Sequence, residues 1–108
     1  MTSETPSEMR RYPRISLPKG MFAAWYGGGD QQVSRVETLG MGGLFLSASR
    51  VRPVGTILKL VFDVPGGVVQ ADAVVRSFSR GVGMGVEFTR LGPRDRVLLS
   101  RLLRRLLS

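Results

Sequence analysis

The side chains best equipped for chemistry in this sequence are arginines. Arg10, Arg11 and Arg14 fall within five positions, in the run Arg10-Arg11-Tyr12-Pro13-Arg14. A guanidinium presents its N–H donors in a planar fork. It can therefore grip phosphate oxygens, or the O6/N7 edge of guanine, through two hydrogen bonds at once. Pro13 restricts its own φ and biases Tyr12 toward extended backbone, which stiffens the segment carrying the three cations. A solvated basic arm ahead of a first strand would have the same composition.

Other chemistries are excluded by what is absent. The 108 residues include no histidine and no cysteine. A Ser-His-Asp triad, a Cys-His pair, disulfides and nearly every zinc site are therefore ruled out. Acid–base work near neutral pH would fall to eight carboxylates and two lysines, most of them in predicted turns or on strand faces. The composition argues against catalysis, so no enzyme activity, metal or cofactor is expected.

A second candidate region is Val36 to Leu46, where Gly40, Gly42 and Gly43 stand between apolar segments. Such glycines permit positive φ and let a ligand approach bare backbone, although a plain hairpin turn accounts for them equally well. No Gly-Lys-Ser/Thr follows and no helix opens behind them, so this is not a Walker A loop. Gly81-Val82-Gly83-Met84-Gly85 superficially suggests a dinucleotide loop. It lies inside a strand pattern, so its glycines read as bulges or points of close packing.

The elements that must hold these residues are mostly strands. Met21–Tyr26 precedes the turn Gly27-Gly28-Gly29-Asp30, Gln32–Leu39 reads as a half-exposed strand, and Leu44–Ser47 follows the glycine cluster. Thr56–Val64 alternates, with Thr56, Leu58, Leu60, Phe62 and Val64 on one face and Lys59 and Asp63 on the other. Val68–Phe78 turns Val69, Ala71, Ala73 and Val75 one way, and Val82, Met84, Val86 and Phe88 alternate after Arg80-Gly81. Trp25 and Tyr26 read as core or barrel-surface residues. Six short strands separated by turns predict a barrel or a sandwich.

The period then changes. From Pro93, seven apolar residues (Val97, Leu98, Leu99, Leu102, Leu103, Leu106, Leu107) recur at helical spacing, with Arg101, Arg104 and Arg105 off the stripe. Pro93 suits a first helical turn and Asp95 suits its positive dipole end. The leucines are expected to cover an open end or side of the barrel, or to form a homodimer by pairing with a second copy of the helix. An anionic membrane surface is a weaker alternative, because no Trp or Phe borders the stripe.

The net charge of +8 is concentrated rather than spread. Six arginines against Asp95 between Arg90 and Ser108 supply most of it. A general nucleic-acid binder wants a continuous basic stripe, so no specific nucleic acid is expected. No segment has the length of a transmembrane span, and residues 1–9 lack the pattern of a signal peptide, so a cytoplasmic location is expected.

The order of these features resembles the PilZ domain. The resemblance rests on Arg10 to Arg14 as an Arg-x-x-x-Arg motif, the Gly42-Gly43-Leu44-Phe45-Leu46 turn, the Gly83-Met84-Gly85-Val86-Glu87-Phe88 strand and the final helix. It implies an all-β fold, a six-stranded antiparallel barrel with a C-terminal α-helix. The expected layout is a flexible arm over 1–9, the barrel over 10–92 and the amphipathic helix over 93–108. It also implies a bacterial signalling module that binds cyclic di-GMP and relays it to an unidentified protein partner. The alternative is an interaction module of a motility or signalling assembly that works without the nucleotide.

In the family the first motif clamps phosphates and guanine, and a second motif, Asp/Asn-x-Ser-x-x-Gly, contacts the base. Arg10 and Arg14 match the first motif, with Arg11 flanking. Aligning Gly43 with the final glycine of the second places Gly40 on its serine and Thr38 on its acidic or amide position. Only the glycine matches. The expected ligand-binding residues are thus Arg10, Arg11, Arg14, Thr38, Gly40 and Gly43. Glu37, one residue from Thr38, should face the other way in an alternating strand.

Overall fold

The computed structural model describes residues 14–107. Arg10, Arg11, Pro13 and the arm expected over 1–9 lie outside the described residues. Six strands follow in chain order: β1 (Arg14–Tyr26), β2 (Gln32–Gly40), β3 (Gly43–Ser47), β4 (Ile57–Val64), β5 (Gly67–Ser79) and β6 (Gly83–Leu91). They close into an antiparallel barrel in the order β1-β2-β3-β6-β5-β4, with β4 pairing back onto β1. One helix, α1 (Pro93–Leu107), ends the chain. This is the expected all-β barrel with a C-terminal helix.

The barrel interior follows the predicted alternation most closely in β4 and β5. Leu58, Leu60, Phe62 and Val64 point inward and meet Val69, Ala71, Ala73 and Val75. Trp25 is fully buried among them, and its Nε1–H donates to Ser34 Oγ at 2.9 Å. That bond explains a buried serine in an apolar wall, since an unpaired indole N–H in the core would cost on the order of 1–3 kcal/mol.

Three departures from simple alternation matter. First, β1 starts seven residues earlier than predicted, and its pairing with β2 breaks between Ser16 and Met21. Pro18 falls within that break. Second, the β2–β3 register slips between Val36 and Thr38. Inward alternation through Val36 therefore resets to Leu39, and both Glu37 and Thr38 are left half-buried. The expectation that Glu37 faces opposite to Thr38 fails for this reason. Third, Met84 and Val86 are fully buried as expected, but Val82 lies in the turn before β6 and is exposed.

At the far end of β1, Gly27, Gly28 and Gly29 all adopt positive φ (144°, 71° and 156°), a conformation that disfavours any side chain. Arg52 fills the space beside this turn. Its Nε–H donates to the Gly27 carbonyl at 3.0 Å, and its guanidinium carbon stands 5.0 Å from the centroid of the Trp25 ring.

Helix α1 spans the predicted segment but presents a narrower seam to the barrel. Leu98, Leu99 and Leu103 are buried and Leu102 packs partly against them. Val97 and Leu107 remain exposed on the flanks of that seam, and Leu106, in line with it at about 100° per residue, is exposed in the last turn of the helix. Asp95 accepts the Gln70 N–H at 3.0 Å and ties the first turn to β5. Among the described residues no helix is long and apolar enough to cross a membrane.

Candidate functional site

Residues paired directly across antiparallel strands share a face, and a two-residue step along a strand returns to it. Arg14 lies opposite Gly40, and Ser16 opposite Thr38, so both pairs belong to one outer face of β1 and β2. That face continues across the barrel. Thr38 is paired with Phe45 on β3, Phe45 with Gly85 on β6, and Gly85 with Ser77 on β5. A neighbouring row carries Gly43 on β3 and Glu87 on β6.

The Arg14 side chain extends over this face from the first residue of β1. Its Nη2 donates to the Val86 carbonyl at 3.2 Å, 72 residues away in sequence. A β-carbon built on Gly43 would stand 2.9 Å from that Nη2 and would collide with the Val86 carbonyl oxygen. A β-carbon on Gly85 would lie 3.7 Å from Nη1, 3.9 Å from the Phe45 ring and 2.8 Å from Ser77 Oγ. Gly43 and Gly85 thus form a bare floor under the guanidinium, with Phe45 and Ser77 at its side.

These glycines are small for space, not for conformation. None of Gly40, Gly42, Gly43 and Gly85 has a positive φ, so the left-handed turn allowed by the sequence is not used here. What Gly43 and Gly85 supply is close approach of a cation to the sheet. Thr38 adds a half-buried residue with a hydroxyl two positions from Gly40, on the same face.

The electrostatics are set by pairing. Glu37 is engaged by Arg35 at 3.6 Å, and Glu87 by Arg76 Nε at 2.6 Å. Among the described residues, both carboxylates bordering the Arg14 row are therefore held by guanidinium groups. Exposed pairs of this kind add little stability, on the order of 0–1 kcal/mol, but they shape the local field. No cluster of three or more potential metal ligands exists among the described residues.

Of the six residues expected at the site, four are described: Arg14, Thr38, Gly40 and Gly43 occupy one outer face across β1, β2 and β3. Sequence reasoning missed Gly85, Phe45 and Ser77. Gly85 was legible as a point of close packing, but its position beside Arg14 depends on the β3–β6 register, which no local pattern reveals.

Comparisons agree with this architecture. No curated protein matches the sequence. Among solved structures, the inhibitor of motility MotI/DgrA of Bacillus subtilis superposes with a TM-score of 0.71 at 19% identity. The match covers 91% of this chain and 51% of that one, so this chain spans about half the length of that protein. The PilZ domain of YcgR from Escherichia coli, solved with c-di-GMP, gives 0.70 at 21% identity, covering 90% of this chain and 93% of that one. The PilZ domain of CeSA from a cellulose-synthesizing bacterium gives 0.65 at 19%, covering 88% and 98%. At these identities the likeness is one of fold. The PilZ domain family itself matches residues 8–105, nearly the whole sequence. With six strands closed into a barrel, a C-terminal helix and that match, the chain belongs to the PilZ domain family.

Proposed function

We propose that this chain is a cytoplasmic signalling module, not an enzyme, that binds cyclic di-GMP on the outer face of β1–β3 and relays it through contacts with a protein partner. The observation that carries this reading is the seat of Arg14. The arginine matching the family's first motif lies over Gly43, the glycine matching its second, with Gly85 alongside. A guanidinium held there meets a dianionic nucleotide through charge-assisted hydrogen bonds, and Phe45 offers an apolar surface to a base. Arg10 and Arg11 add charge from the preceding segment, and Thr38 adds one hydroxyl.

Gly40 and Thr38 replace the serine and the acidic or amide residue of the second motif. Each lost contact is worth on the order of 1 kcal/mol, so affinity should fall about 10- to 100-fold below a receptor with the full motif. The same departure favours the second reading, a PilZ-like interaction module that needs no nucleotide.

Restoring the motif with Thr38→Asp and Gly40→Ser tests the assignment. Gly40 lacks a positive φ, so serine meets no backbone penalty there. Cyclic di-GMP affinity, read by calorimetry, should rise about tenfold, with the melting temperature close to the parent's. A stable double variant with unchanged affinity would remove the β2–β3 segment from the site.

A further inference from the structure

We infer that the outer face of β1, with its neighbours β2 and β4, is a two-fold interface on which a second copy of this chain docks. The inference is independent of the nucleotide reading. It rests on two rows of residues set by strand register. In the first, Val33 pairs with Ala24 and Ala24 with Val61, so three apolar residues lie side by side on β2, β1 and β4. In the second, Phe22 pairs with Arg35, and one step beyond the Ala23–Phe62 pair it stands level with Asp63. Two-residue steps along each strand keep all six on the outer face.

The face is apolar along its middle. Phe22 is 56% exposed and Val33 67%, with Ala24 and Val61 half-buried beside them. A β-carbon on Gly20 would stand 3.1 Å from the Phe22 ring, so the ring leans along β1 over bare backbone. An aromatic ring presented this way offers a second ring a surface to pack on.

The charges choose the occupant. Arg35 lies on one side of Phe22 and Asp63 on the other. A two-fold axis running along β1 exchanges those sides. It sets Arg35 of each copy toward Asp63 of the other, Val33 toward Val61, and Phe22 toward Phe22. An axis across the strands would set Arg35 against Arg35 instead. The Arg35–Glu37 contact is long, at 3.6 Å, and leaves the Arg35 side chain 41% exposed, so a second carboxylate can share the guanidinium. A membrane that took up Phe22 and Val33 would also have to draw Asp63 out of water. The barrel curves away on both sides of β1 and the net charge is +8, so contact is narrow and the dimer should be weak.

The test is sedimentation equilibrium of the full chain in about 0.15 M salt, where charges more than about 8 Å apart are largely screened. The parent should pass reversibly from monomer to dimer between micromolar and millimolar concentration. Phe22→Ser should weaken the dimer about tenfold or more. Arg35→Asp and Asp63→Arg should each weaken it as well, because each sets like charges face to face. Mixing the two single variants should restore association, since one copy then carries two carboxylates and the other two guanidinium groups. That rescue also shows that both variants fold. Should either melt early, Arg35→Glu mixed with Asp63→Lys carries the same comparison. The inference is overturned if the parent stays monomeric, including a monomer that binds phosphatidylglycerol vesicles through Phe22. It is also overturned if the charge variants dimerise like the parent, or if the mixture associates no better than its components. A dimer lost with Leu107→Glu but kept with Phe22→Ser would give the interface to α1 and overturn it too.

Discussion

Two arginines sit on glycine floors at opposite ends of β1, and they differ in what the glycines are for. Around Arg52 the glycines are conformational: Gly27, Gly28 and Gly29 all take positive φ. The Arg52 guanidinium is committed inward, to the Gly27 carbonyl and the face of buried Trp25. Around Arg14 the glycines have ordinary φ and are small because Val86, Ser77 and the guanidinium itself occupy the space a side chain would need. That seat lies on the outer sheet beside Thr38, Phe45 and Ser77. The first arrangement closes a turn over the core. The second holds a half-buried cation on the outer sheet, where the proposed nucleotide site would use it.

The largest effect is expected from Gly43→Ala. The new methyl would meet the Val86 carbonyl oxygen and come within 3.0 Å of the Glu87 Cα, both fixed by β3–β6 pairing, as well as Arg14. Overpacking against backbone should cost about 3 kcal/mol, read in a denaturant titration, and should weaken nucleotide binding as well. A variant as stable as the parent would show that the floor under Arg14 has room to spare.

Arg52→Ala comes next. It removes a hydrogen bond from a charged donor and a cation–π contact, together about 2 kcal/mol. Thermal melting should record that loss while cyclic di-GMP affinity stays at the parent's value. Reduced binding by the folded variant would erase the distinction between the two seats.

The smallest effect concerns pH. The hydrogen bond from Lys59 Nζ to Asp72 Oδ1 at 2.8 Å, followed by attraction to that carboxylate, raises the Lys59 pKa above 10.5. A raised pKa in the folded state means the pair's contribution is complete below about 10.5 and is lost as pH climbs through the folded value. Lys59→Gln should flatten that part of an alkaline melting series slightly, since the pair is exposed. Arg14→Ala and Arg52→Ala should keep the parent's slope, because neither arginine is a partner of the Lys59–Asp72 pair. A flattened slope in either arginine variant would mean that its seat is coupled to the Lys59 pair.

The parts of this molecule that could be read in advance are those fixed by local pattern. In β4, and in β5 as far as Val75, the inward residues recur at every second position, and in α1 the leucines and Pro93 mark a helix of the observed length. Register defects hid the rest. The break between Ser16 and Met21 concealed half of β1, and the slip at Glu37 placed two consecutive residues near the surface where alternation allowed one. Thr38, Gly40 and Gly43 were legible as candidates through the resemblance to a known motif. Gly85 and Phe45 came into view only once the β3–β6 pairing brought them beside Arg14, because a long-range pairing leaves no periodic trace in the chain.

Calorimetric titration of cyclic di-GMP into the parent and into Arg14→Ala tests the proposed site most directly. The parent should bind. The variant should bind at least about tenfold more weakly, because a charge-assisted contact to the nucleotide is gone, and should melt within a few degrees of the parent. Equal affinities would contradict the site, and a parent that takes up no nucleotide would contradict the function.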